Sequence, residues 1–184
     1  MKGLLLLANH FEDSEALVTY DILRRSGIEM VLTSVEGTKE LTTQNKIRLF
    51  ADALIEEVSL DEFEFLVIPG GKAVFERLDH LKIVDDVILH FHNNKKWIAA
   101  ICAAPHLIGK LGLLQNKNYV CFPTCNKSII GGTLLKEQKV VIEDYVITGR
   151  AMAVTVDFAL AIIETLQGKT QKEKIEKSIY GIYE

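Results

Sequence analysis

Three short runs constrain this chain most: KGLLLLA from Lys2, EFLVIPGG from Glu64 and WIAAI from Trp97. Each is apolar or small at consecutive positions through its centre. A strand with one face in water alternates polar and apolar residues, and these do not, so they read as strands buried in a sheet that is covered on both faces. Helical patterns separate them. EDSEALVTYDILRRSG keeps Leu17, Tyr20, Ile22 and Leu23 at roughly helical spacing and ends on Gly27. Leu81 to Phe91 reads as a helix, as does the segment after WIAAI. DFALAIIETLQG is an amphipathic helix stopped at Gly168, and a charged helix, QKEKIEKSIYGIYE, closes the chain. EMVLTSVE is a further strand, and KVVIEDYVITG reads as a hairpin around Glu143-Asp144. Gly37 to Asp61 is mixed, with short extra strands expected around Ile47 to Phe50, and Gly112 to Lys136 is irregular.

Alternating strands and helices predict an α/β fold, a doubly wound, mostly parallel sheet with right-handed crossovers. Length predicts one domain spanning residues 1–184. In such a sheet ligands bind beyond the carboxyl ends of the strands, near the switch point. HFEDSE, PGG and CAAP follow three of the predicted strands, and the order 2-1-3-4-5 makes those strands neighbours, so the three loops should converge.

Charge narrows the partners. The chain carries 21 basic and 25 acidic residues, a formal net charge of −4, which predicts neither nucleic acid nor an anionic membrane as a partner. The apolar run at the N-terminus is cut off by Asn9, His10 and Glu12, too early for a signal peptide or a membrane span. The expected compartment is therefore cytoplasmic, with all three cysteines as reduced thiols.

Cys102 stands at the join of WIAAI and its helix, flanked by Ala100, Ala103 and Ala104, with Pro105 placed for the first helical turn. A sharp strand-to-helix turn lifts its apex side chain out of the sheet, as in the nucleophile elbow of serine hydrolases. A helix N-terminus at that point favours the thiolate. The alternative is an inert buried cysteine. HFEDSE weighs against that alternative. Glu12 and Glu15 lie one turn apart and share a face, while Asp13 suits helix capping. A carboxylate against a thiolate is repulsive, so one of the two must keep its proton. A protonated Glu15 donating to the sulfur resolves the conflict and leaves a proton donor beside a nucleophile.

GLLLLANHFEDSEALVTYDILRRSGIEM, FEFLVIPGG, WIAAICAAP and DFALAII, in this order, resemble the DJ-1/ThiJ/PfpI family over essentially the whole chain. The closing SIYGIYE is similar to the ThiJ (YajL-like) bacterial branch. The resemblance implies a flavodoxin-like (class I glutamine amidotransferase-like) fold with helices on both faces, a homodimer, and chemistry that needs no metal or cofactor. It implies Cys102 as the reactive cysteine, Glu15 as its hydrogen-bonding glutamate and Glu12 as a second pocket carboxylate. The amides of Gly70, Gly71 and Ala103 match the oxyanion-holding region. Members of this family are described as glutathione-independent glyoxalases, deglycases, chaperones and oxidation sensors.

The sequence departs from the family pattern at three points. Phe122 precedes Pro123 where many members carry a histidine. Gly149-Arg150-Ala151-Met152-Ala153 replaces a Ser-Arg-Gly-Pro-Gly-like loop, leaving Phe122 and Arg150 as substrate-contacting candidates. Thr43-Gln44-Asn45 replaces a Cys-Ser-Arg motif whose arginine reaches the partner's pocket in some members. His10, beside Glu12, is the first candidate to stand in as a base, and His106, four residues after Cys102, the second. His80, His90 and His92 read as surface residues. Cys121 and Cys125 have the wrong spacing for a Cys-x-x-Cys pair and read as ordinary thiols.

Three functions follow. The first is an enzyme acting on small α-oxoaldehydes, or on their adducts with amines and thiols, through a Cys102 hemithioacetal with Glu15 as proton shuttle. The second is a redox-sensing chaperone whose Cys102 is oxidised to sulfinic acid without turnover. An amidase or peptidase ranks below both.

Overall fold

The computed structural model describes residues 1–182; of the closing SIYGIYE, Tyr183 and Glu184 lie outside the described residues. The chain runs β1 (Lys2–Leu7), α1 (Asp13–Arg25), β2 (Glu29–Ser34), β3 (Glu40–Thr42), β4 (Arg48–Phe50), β5 (Ala53–Leu54), β6 (Phe65–Ile68), α2 (Ala73–Glu76), α3 (Lys82–Asn93) and β7 (Trp97–Ile101). It continues with α4 (Pro105–Lys110), β8 (Asn118–Tyr119), β9 (Thr133–Leu134), β10 (Val140–Glu143), β11 (Val146–Gly149), α5 (Thr155–Gln167) and α6 (Lys169–Ile179).

Among the described residues, seven strands form one sheet in the order β10-β11-β7-β6-β1-β2-β5. All neighbours are parallel except β10 and β11. Its five main parallel strands, β2-β1-β6-β7-β11, have the expected 2-1-3-4-5 order. The apolar runs occupy the centre: Leu4 to Leu7 and Phe65 to Ile68 are each fully buried. A consecutive buried run needs a cover on both faces. α1, α5 and α6 pack together over one face, and α3 packs against β6 and β7 from the other. Each fully buried leucine or isoleucine contributes about 1.5–3 kcal/mol relative to exposure, so these strands anchor the core.

The hairpin turns on Asp144 and Tyr145, one residue later than expected. Both have positive φ, 44° and 64°, as a two-residue type I′ turn requires. The expected extra strands around Ile47 to Phe50 appear as a small β3–β4 hairpin, and β8 and β9 form a short pair within the irregular stretch. No helix among the described residues is long and apolar enough to cross a membrane.

Candidate active site

β1, β6 and β7 lie side by side, so the loops after them leave the sheet together. Backbone bonds then stitch the first two. Glu12 N–H donates to the Gly70 carbonyl at 3.1 Å, Ala73 N–H donates to the His10 carbonyl at 3.0 Å, and Phe11 bridges Gly71. Gly71 has φ +91°, and a Cβ there would stand 2.4 Å from the Glu12 nitrogen. Only glycine lets the two loops approach this closely.

The third loop is the Cys102 corner. Cys102 has φ +63°, in the left-handed region that a non-glycine residue seldom occupies. The conformation is held from both sides: Cys102 N–H donates to the Gly149 carbonyl at 2.9 Å, and its carbonyl accepts from Phe122 N–H at 2.8 Å. Strain fixed in this way is characteristic of functional positions. The helix begins only at Pro105, and α4 is six residues long. The local help for the sulfur comes instead from the Ala103 and Gly71 amides, both of which favour its thiolate.

Glu15 is fully buried on α1. Its Oε2 accepts from Gly70 N–H at 2.8 Å, while its other oxygen has no hydrogen-bond partner of its own and its carboxyl reaches the Cys102 thiol. Burial is the main reason its pKa is pushed up to about 7, with the Glu12 charge adding to the rise. Burial likewise pushes the Cys102 thiol far above the ordinary thiol range, and the neighbouring Glu15 charge raises it further. Each group thus opposes ionisation of the other, and the pair titrates as a unit. Glu15 releases its proton before the thiol does, so in the singly charged pair the thiol donates to the carboxylate, and passing that proton to Glu15 forms the thiolate. Gly70 has no room for a side chain: a Cβ would lie 2.7 Å from both the Cys102 Cβ and Glu15 Oε2.

The capping carboxylate of α1 is Glu12, whose Oε2 accepts from Glu15 N–H at 2.7 Å. Asp13, the residue expected to cap, instead accepts from Thr43 Oγ1 at 2.5 Å and Asn45 Nδ2 at 2.8 Å. Glu12, Glu15, Gly71, Cys102, Ala103 and Phe122 line one cavity of about 610 Å³. Gln44, Lys72, Phe75, Cys125 and Ala151 to Ala153 complete it. Lys72 and Phe75 carry no motif or spacing signal that marks them in advance. They reach the cavity because α2 starts directly after the Gly70-Gly71 turn.

Four candidates are not where sequence spacing put them. His10, with φ +71°, points its Nδ1 at Glu76 Oε2, 2.7 Å away, and does not line the cavity. The left-handed backbone turns its side chain toward α2 while its carbonyl faces the pocket loop. His106 is buried on the other side of α4, with Nδ1 2.5 Å from Ser128 Oγ and Nε2 3.0 Å from Asp79 Oδ1. The corner is not yet helical at Cys102, so four residues do not make one helical face. Gly70 N–H is committed to Glu15 and leaves the oxyanion region to Gly71 and Ala103. Arg150 lines a neighbouring cavity with Cys121, Lys127 and Lys136, and its Nη1 donates to the Lys136 carbonyl at 3.2 Å. Of the remaining histidines, His80 is exposed, whereas His90 and His92 are half-buried on α3.

A family model described as the DJ-1/PfpI family matches residues 1–165. The protein dj-1beta of Drosophila melanogaster is 28% identical over 182 residues, which span 98% of this chain and 97% of that one. The glutathione-independent glyoxalase DJR-1.2 of Caenorhabditis elegans is 27% identical over 176 residues, 96% of this chain and 94% of that one. The solved structure of oxidised Toxoplasma gondii DJ-1 superposes with a TM-score of 0.90 at 31% identity, covering 97% of each chain. With the strand order, the cysteine corner and the buried glutamate already described, these matches place the chain in the DJ-1/PfpI family.

Proposed function

We propose that this protein converts α-oxoaldehydes, free or as adducts with amines and thiols, into 2-hydroxy acids through a covalent bond to Cys102, with no cofactor. The observation that carries the reading is the buried Glu15 carboxyl, anchored by Gly70 N–H on Oε2 and reaching the Cys102 thiol, on a cavity large enough for a small carbonyl compound. The Cys102 thiolate adds to the aldehyde carbon and gives a hemithioacetal. The Gly71 and Ala103 amides, already directed at the sulfur, stand beside the oxygen that gains charge. Glu15, with a pKa near neutrality, gives up and takes back a proton as hydrogen moves from the aldehyde carbon to its neighbour. The product is a thioester of the hydroxy acid, and water releases it and restores the thiol. The similarity to a nematode glutathione-independent glyoxalase supports the same chemistry.

Lactate formation from methylglyoxal, without glutathione, is the test. The wild type should produce lactate, and Cys102→Ala should fall to the rate of buffer. A full rate in Cys102→Ala would refute the reading. Lactate formation by neither, with Cys102 oxidised by dilute peroxide, would favour the second reading, a redox-sensing chaperone. That reading draws support from the protonated carboxyl available to hold a sulfinate. Hydrolysis of amides ranks below both, because no histidine among the described residues lines the cavity.

The protein is also expected to be a homodimer, docked through α1. The apolar side chains around Leu17 and Tyr20, both half-buried on α1, are the expected contact. Light scattering at micromolar concentration should give twice the chain mass, and a monomer would count against the dimer.

A further inference from the structure

The turn that carries Phe122 brings a second thiol to the cavity. Phe122 N–H donates to the Cys102 carbonyl at 2.8 Å, and Cys125 N–H closes the turn on the Phe122 carbonyl at 3.1 Å. Two hydrogen bonds thus link the backbone of Cys102 to that of Cys125. A turn closed in this way holds its first and fourth Cα atoms within about 7 Å. Cys125 is half-buried and lines the same cavity as Cys102 and Glu15. No step of the carbonyl chemistry uses it. Burial pushes both thiols up, and of the two the Cys102 sulfur alone has backbone amides, those of Ala103 and Gly71, that favour its anion. Phe122, Pro123 and Thr124 are exposed, so the turn can swing on its anchor without breaking the core.

We propose that Cys125 is a resolving thiol: it captures the sulfenic acid that a peroxide forms on Cys102 and closes a Cys102–Cys125 disulfide. The Cys102 thiolate attacks one peroxide oxygen and the O–O bond breaks. The sulfur is oxidised by two electrons, and the departing oxygen takes a proton and leaves as water or an alcohol. The Cys125 sulfur then attacks the sulfenyl sulfur. An S–S bond forms, the S–O bond breaks, and the hydroxide leaves as water with the proton that Cys125 gives up. A second peroxide would otherwise carry the sulfenic acid to sulfinic acid, which thiols do not reduce. Cys125 therefore competes with overoxidation and keeps Cys102 recoverable. The proposal rests on Cys102 being the reactive thiol, and not on turnover of any carbonyl.

The test treats the reduced full chain with graded hydrogen peroxide, from one to several equivalents, blocks free thiols and reads intact mass and linked peptides. The wild type should lose two hydrogens, show a Cys102–Cys125 peptide and return to its starting mass with dithiothreitol. Cys125→Ser should lose the link and gain two oxygens on Cys102, while Cys121→Ser should behave as the wild type. Equal sulfinate yields in wild type and Cys125→Ser would overturn the proposal, as would a link between Cys121 and either other cysteine in place of the expected one. Parallel labelling with limiting iodoacetamide separates the failures. Cys102 labelled but never linked overturns the resolving role alone; Cys102 neither labelled nor oxidised overturns both that role and the reactive cysteine behind the proposed function.

Discussion

Replacing Glu15 with leucine is expected to slow carbonyl turnover by about 10²- to 10⁴-fold, the range that a positioned acid–base group contributes. Leucine removes the proton carrier and also leaves Gly70 N–H without its buried acceptor. Glutamine separates the two losses. Its carbonyl oxygen can still accept from Gly70, and its amide can still donate toward Cys102, but it cannot give up a proton. Glu15→Gln should therefore be nearly as slow in lactate formation as Glu15→Leu, while alkylation of Cys102 by iodoacetamide survives better in the glutamine variant. Turnover equal to wild type in either variant would remove Glu15 from the chemistry.

The second large effect is on stability, and it has the opposite sign. The Glu15 pKa is raised from 4.5 to about 7 in the folded protein. Below about pH 4.5 the carboxyl is protonated in both states and costs nothing. As pH rises toward 7, the unfolded chain loses the proton while the folded chain keeps it, so stability falls, and the loss is complete above the folded pKa. At about 1.4 kcal/mol for each unit, the cost near pH 8 is about 3 kcal/mol. Glu15→Gln is neutral throughout and escapes this cost. Denaturant unfolding should find it more stable than wild type by roughly that amount near pH 8, with the gap closing toward pH 4.5. A gap that does not change with pH would mean that Glu15 ionises in the folded protein as freely as in water.

Much of this was legible in the chain itself. The unbroken apolar runs at Leu4 and Phe65 announce strands with two covered faces, the alternation with helices makes the sheet mostly parallel, and 2-1-3-4-5 is a common order for such a sheet. The meeting of HFEDSE, PGG and CAAP follows from that order, since neighbouring parallel strands release their loops on the same edge. Side-chain direction was not legible. His10 and Cys102 both have left-handed backbone, yet one points away from the cavity and the other into it, because backbone bonds from distant segments decide how each corner is held. Which carboxylate caps α1 was equally hidden: Thr43 and Asn45, some thirty residues away, claim Asp13 and leave the cap to Glu12. The partition of glycine amides between Glu15 and the sulfur depends on contacts among three segments, and no spacing rule encodes it.

The way the corner is tied into the sheet has a consequence for motion. Cys102 N–H is bonded to Gly149 of β11, so the nucleophile belongs to the cooperative unit formed by the central strands, which opens only when the whole domain does. The Phe122 turn hangs from that unit by one hydrogen bond to the Cys102 carbonyl and is exposed beyond it. Its local opening costs less than opening the sheet, and it releases only one of the two backbone bonds on the elbow, leaving the Gly149 bond in place. The wall of the cavity can therefore open while the reacting sulfur keeps its tie to β11, so admission of a ligand and alignment of the nucleophile are governed by separate free energies.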